Sequence, residues 1–175
     1  VYNNKLFFSA SNASNLTKLY SYNDTGAVLT QITNTAGAAA ADVPTGTLFI
    51  YNNKLFFKSN NSLGKSKLYS YDDVTGNLVQ ISNLRGDSND DAPSFGIIYN
   101  NKLYFSATNQ NGLTKLFNYD DTSGRLIQVS NTAGSAASDG PDSFVIYNNK
   151  LFFNSYNSSG FMKVFSLCDL SAGCS

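Results

Sequence analysis

Any chemistry in this chain would fall to aspartate, lysine and tyrosine. Its 175 residues contain no histidine, no glutamate and no tryptophan, so the usual imidazole base and the usual transition-metal ligand are both missing. Three aspartates stand out by position: Asp42, Asp91 and Asp139, 49 and 48 residues apart, each opening Asp-x-Pro. Repeated carboxylates of this kind can hold a cation such as Ca²⁺, or they can accept backbone N–H bonds and shape a turn. An identical role played three times is what a repeating fold gives, so the turn reading is preferred and no metal or cofactor is expected. Asp72-Asp73 and Asp120-Asp121 read as hairpin turns. Adjacent carboxylates on a turn are poorly placed to divide acid and base work without a cleft to separate their pKa values, so we expect no enzyme activity.

The elements that carry these residues are set by a repeat. The heptapeptide YNNKLFF begins at Tyr2, Tyr51 and Tyr147, and appears as YNNKLYF at Tyr99. Sixteen residues after each Tyr stands a lysine, Lys18, Lys67, Lys115 or Lys163, which opens KLYSYND, KLYSYDD, KLFNYDD or KVFSLCD. VLTQITN, NLVQISN and RLIQVSN follow in the first three copies, ahead of the aspartate loops. A fixed period of this length marks a repeat architecture. The segments are short, rich in aromatic and β-branched residues, and bounded by Asn, Gly, Asp or Ser, with no helical periodicity. Each unit is expected to be four strands. Asn-Asn forms a two-residue hairpin turn in which both residues take positive φ, and the apolar run after it is an inner strand buried on both faces.

The predicted fold is therefore all-β: a β-propeller of four-stranded blades with a period of about 48 residues, the first and last incomplete. It forms one domain over 1–175, with repeats 1–43, 44–92, 93–140 and 141–175. A linear β-solenoid is the second choice. Four repeats with partial ends give fourteen strands, and the unpaired edges invite self-association.

The motifs KLFFSA and KLYSYDD, with the aspartate loop, resemble the ELWxxDGT-type propeller repeats of secreted bacterial proteins and, more distantly, tachylectin-like propellers. Lys stands here for Glu, Tyr or Phe for Trp, and Asp-Asp-x-x-Gly for Asp-Gly-Thr. The resemblance implies a secreted propeller and supplies no catalytic residues.

Alternation of strands puts the Asn-Asn and YDDVTG turns at one end of each blade, and the second-to-third loops and aspartate crossovers at the other. SASNASNLT, KSNNSLGKS, SATNQNGLT and NSYNSSGFM differ between copies while their flanking strands do not, and variable loops on a rigid frame are where binding is usually found. Asn60, Asn109, Asn111 and Tyr156, with Asp42, Asp91 and Asp139, are the candidate rim for an extracellular glycan or a partner protein. The alternative is that these Asn and Ser residues make local turns. Arg85-Gly86-Asp87 spells the tripeptide that integrins read, but its Gly recurs in the scaffold as Gly37 and Gly134.

The remaining expectations concern setting. Twelve basic and twelve acidic residues cancel and form no basic cluster, which argues against nucleic acid, and no apolar run is long enough for a membrane span. The 13 Phe and 11 Tyr promise a packed core. Cys168 and Cys174 are expected to form a disulfide, hence an oxidising, secreted or cell-surface location, and the start at Val1 suggests a processed or trimmed chain. Glycosylation triplets begin at Asn12, Asn15, Asn23, Asn60 and Asn157. The chain is read as a non-catalytic interaction module. A self-assembling structural subunit and a glycan-binding lectin are the alternatives.

Overall fold

A computed structural model describes residues 1–168. The expected disulfide partner Cys174 lies outside them, and so does the pairing itself. Among the described residues fourteen strands make four antiparallel sheets, one per repeat. Sheet 1 is β1 (Leu6–Ser11), β2 (Thr17–Asn23) and β3 (Val28–Gln31); sheet 2 is β4 (Thr45–Tyr51), β5 (Lys54–Asn60), β6 (Ser66–Tyr71) and β7 (Leu78–Gln80). Sheet 3 is β8 (Ser94–Tyr99), β9 (Lys102–Thr108), β10 (Thr114–Asp120) and β11 (Arg125–Gln128); sheet 4 is β12 (Asp142–Tyr147), β13 (Lys150–Tyr156) and β14 (Met162–Leu167). Within every sheet the strands lie in chain order. The one helical piece among the described residues is a single 3-10 turn, Asp24–Gly26, capped by the Asn23 side chain.

The Asn-Asn pairs behave as the sequence requires. Asn52 and Asn53 have φ of 46° and 54°, and Asn3-Asn4, Asn100-Asn101 and Asn148-Asn149 match them. Asn tolerates this left-handed region better than other residues with a Cβ, and two such residues in a row match the twist of the strands they join. In β5 and β9 the strand after the turn is buried on both faces, Leu55, Phe56 and Phe57 being consecutive and all buried, whereas in β1 and β13 no two consecutive residues are buried. The first strands of sheets 2, 3 and 4, β4, β8 and β12, each carry a register shift against their neighbour. In β8 the shift falls at Gly96, where an added Cβ would collide with the Tyr104 carbonyl.

The chain divides into two compact units, Val1–Ala92 and Pro93–Ser175, each holding two repeats. In the first unit Tyr2, Phe7 and Leu19 of sheet 1 pack with Leu55, Phe57, Tyr69 and Tyr71 of sheet 2. In the second, Tyr99, Tyr104 and Leu116 of sheet 3 pack with Leu151 and Phe153 of sheet 4. The two cores use the same repeat positions. Each is also tied at the Asn-Asn end: the Tyr2 hydroxyl donates to the Asn53 carbonyl (2.6 Å) and the Tyr99 hydroxyl to the Asn149 carbonyl (2.7 Å). In every sheet a stacked aromatic pair joins the strand after the Asn-Asn turn to the next one: Phe8 with Tyr20, Phe57 with Tyr69, Phe105 with Phe117 and Phe153 with Phe165.

Candidate functional site

Asp42, Asp91 and Asp139, placed at the rim by the sequence reading, are interior residues with no exposed surface. Each pairs with the repeat's lysine: Lys18 with Asp42 at 2.9 Å, Lys67 with Asp91 at 3.1 Å and Lys115 with Asp139 at 2.8 Å. The lysines are as deeply buried as their partners. An ammonium inside a protein needs each of its three N–H donors satisfied, and here every one is. Lys67 Nζ donates to Asn83 Oδ1 (3.3 Å), to the Gly86 carbonyl (2.9 Å) and to Asp91 Oδ1. Lys18 uses Asn34 and Gly37, and Lys115 uses Asn131 and Gly134, in the same way.

The carboxylates in turn collect backbone donors from the crossover. Ala36, Arg85 and Ala133 N–H groups donate to the Oδ1 atoms of Asp42, Asp91 and Asp139. The second oxygen differs among copies. Asp139 Oδ2 accepts from Ser130 Oγ at 2.6 Å and Asp91 Oδ2 from the Leu84 N–H, whereas Asp42 Oδ2 has no hydrogen-bond partner. Burial alone would raise the Asp139 carboxyl; the bonds from Lys115, Ser130 and the Ala133 N–H outweigh it and hold the group below its ordinary value. These three aspartates fold the crossover onto the sheet and offer no oxygen to a ligand at the surface. Fixed spacings of 16 and 24 residues from Lys to Asn and Asp recur in all three copies and were the available signal.

The second-to-third connections, read as variable, share one backbone. In each, an Asn side-chain Oδ1 accepts N–H bonds from residues two and four positions on: Asn12 from Ser14 and Leu16, Asn61 from Leu63 and Lys65, Asn109 from Asn111 and Leu113, Asn157 from Ser159 and Phe161. The residue three positions on has positive φ and is Asn15, Gly64, Gly112 or Gly160. Only the decoration differs. Asn109 is thus a turn anchor, its amide donating to Gln128 Oε1 at 3.1 Å, and Asn111 is an exposed tip residue.

Asn60 and Tyr156 occupy the same repeat position at the end of the second strand, and their N–H groups donate to the Asp42 and Asp139 carbonyls at 2.7 and 2.8 Å. These bonds bring turn and crossover to one end of each unit, as the strand count requires. Tyr156 is partly exposed, with its ring lying against Gly140. Near it the fourth turn exposes Phe161 and Met162, and Lys163 sits 6.0 Å from the Phe161 ring centre. Of the glycosylation candidates, Asn12, Asn23 and Asn157 spend their Oδ1 atoms on local turns, Asn15 is exposed and Asn60 is half-buried. Arg85-Gly86-Asp87 is held through its backbone: the Gly86 carbonyl accepts from Lys67 and the Asp87 carbonyl from Asn61.

At the opposite end of the first unit, Lys5 pairs with Asp73 at 2.8 Å beside the Tyr2–Asn53 bond. Asp72 and Asp120 cap their hairpins by accepting N–H bonds from Val74 and Thr75, and from Thr122 and Ser123. Those bonds, led by the one from Val74, hold the Asp72 carboxyl below its usual value. The acidic pairs are turn formers, as the sequence suggested.

No protein-family model matches this chain, and no curated protein matches it. Solved structures do. TolB from Acinetobacter baumannii is similar over 98% of this chain and 39% of its own, at 14% identity and a TM-score of 0.56. A TolB from Agrobacterium tumefaciens is similar over 94% and 57%, at 13% identity and 0.54. A puromycin hydrolase S511A mutant complexed with PGG is similar over 96% and 26%, at 13% identity and 0.59. The chain thus spans between about a quarter and somewhat over half of these proteins. Likeness at this identity is one of fold, and the fold is β-propeller-like.

Proposed function

We propose that this protein is a non-catalytic, extracellular interaction module: an incomplete propeller of four blades that binds a protein through the side chains on its second-to-third turns. One observation carries the reading. Four turns with the same hydrogen-bond frame present different groups at matching places, with Ser14, Leu63, Asn111 and Ser159 at the tip and Leu16, Lys65, Leu113 and Phe161 at the exit. A constant frame with changed tips is how a scaffold alters recognition without altering its fold. Leu63 and Phe161, exposed on otherwise polar turns, are the favoured anchors. The non-catalytic reading is supported by the lack of His and Glu and by the use of Asp42, Asp91 and Asp139 in internal ion pairs. The extracellular location rests on Cys168 and Cys174, and cell fractionation tests it.

Selection from a displayed random-peptide library tests the binding. Peptides that bind the wild-type chain should lose at least about tenfold in affinity to Leu63→Asp or Phe161→Ser. Binding that ignores both substitutions overturns the assignment. Tyr156 and Phe161, two exposed aromatics on one turn, favour a second reading in which the partner is a glycan stacked on a ring. A glycan-array response abolished by Tyr156→Ala supports that version, and a flat array removes it.

A further inference from the structure

Asn111 is the only asparagine in the chain that directly precedes a glycine, and Asp139 is the only aspartate that does. In both pairs the next backbone nitrogen can close a ring onto the side-chain carbonyl carbon, and a glycine there has no Cβ to hinder the approach. The fold treats the two pairs oppositely. Asp139 has no exposed surface, and its oxygens are bonded to Lys115, the Ala133 N–H and Ser130. Those bonds favour the charged form, and a carboxylate is a poor electrophile. Gly140 beside it donates its N–H to the Thr114 carbonyl at 3.3 Å and lies against the Tyr156 ring. Asn111, by contrast, is exposed at the tip of the turn between β9 and β10, and among the described residues its side chain has no hydrogen-bond partner. One contact opposes ring closure there: the Gly112 N–H donates to the Asn109 carbonyl at 2.9 Å.

We propose that Asn111 is a site of spontaneous covalent modification, at which water converts the asparagine to a mixture of aspartate and isoaspartate. The Gly112 nitrogen gives its proton to solvent and bonds to Asn111 Cγ; the Cγ–Nδ2 bond breaks, and ammonia leaves after taking up a proton. Water then opens the cyclic imide, at Cγ to give aspartate or at the backbone carbonyl carbon to give isoaspartate. One water is consumed, one ammonia is released, and nothing is oxidised or reduced. Isoaspartate carries the chain through the side-chain carbon, which adds one backbone atom between positions 111 and 112. That atom displaces the Gly112 and Leu113 N–H groups from the Asn109 carbonyl and Oδ1 that they reach at 2.9 and 3.1 Å. This turn therefore loses the frame it shares with the others and gains a negative charge. Ser14, Leu63 and Ser159, which occupy the matching place in the other three turns, have no side-chain amide and cannot react in this way. The chemistry is independent of whether these turns bind a partner.

Peptide mapping by mass spectrometry on the folded full chain, aged for days in mildly alkaline buffer, tests it. The peptide holding Asn111 should gain one dalton as two isobaric products, faster than any other asparagine changes and with Asp139 intact. Urea should raise the rate at Asn111 about fivefold to tenfold by freeing the Gly112 N–H, and should start isomerisation at Asp139. Gly112→Asn places at this position the residue that repeat 1 carries there in the same left-handed conformation, Asn15, and should slow the gain at Asn111. Asn111→Gln should abolish it. An Asn111 that stays intact in the aged folded chain, or an Asp139 that isomerises there as fast as Asn111 reacts, would overturn the proposal.

Discussion

At the scale of single residues, three buried ion pairs hold the crossovers onto their sheets. Removing one partner strands a charge in the interior, so Asp139→Ala should lower stability by about 3–5 kcal/mol, read by urea unfolding. Asp42→Ala should cost less, because Asp42 has one oxygen without a partner while both oxygens of Asp139 are bonded. The double variant Lys115→Met with Asp139→Leu should recover most of the loss, since no charge is then left behind. The depressed Asp139 carboxyl sets an acid limit: its contribution is present above the ordinary carboxylate range of about 4 and is lost as pH falls through the lower folded value. An Asp139→Asn variant should show a flatter acid limb. At the alkaline end Tyr69 is pushed up to about 12, first by burial and then by Asp42 and Asp87. Its contribution is intact below about pH 10 and disappears between there and 12, so the unfolding midpoint should fall over that window and fall less in Tyr69→Phe. Lys18, Lys67, Lys115 and the three aspartates were all visible as repeated letters. Their pairing was not, because strand periodicity says which face a residue takes and nothing about which loop folds back over it.

At the scale of the element, hairpin and strand were legible where local chemistry decides them. Asn-Asn could only be a tight turn with positive φ at both places, and the unbroken apolar run after it is a strand in every copy, buried on both sides in β5 and β9 and on one in β1 and β13. Asn53→Ala should therefore destabilise by about 1 kcal/mol and Asn53→Gly should be neutral or stabilising, measured by thermal unfolding. Gly96→Ala should be worse than either, because the Tyr104 backbone occupies the space a Cβ needs. The turns that follow the second strands were only half legible. Their differing letters promised differing loops, but the side chains of Asn12, Asn61, Asn109 and Asn157 impose one frame on all four. Asn109, a proposed rim residue, is for that reason part of the frame, while Asn111 remains decoration.

At the scale of the whole molecule, residues repeated in each copy build the two cores, and recognition is proposed for those that differ. Each unit stacks two sheets through the same Tyr, aromatic and Leu positions, and each brings its turns and its crossover to one end. Resemblance among repeats revealed the recurring antiparallel sheet, and likeness to TolB structures supports a β-propeller-like fold. Neither names the partner, because the proposed recognition lies in the few positions at which the copies disagree. The most direct test compares one library-selected peptide on two variants. Lys67→Met with Asp91→Leu, which removes a repeated internal pair, should bind the peptide within about twofold of wild type, while Leu63→Asp with Phe161→Ser should bind it at least about tenfold more weakly. The opposite outcome, affinity lost with the internal pair and kept without the turn side chains, would contradict the assignment of scaffold and surface made for this protein.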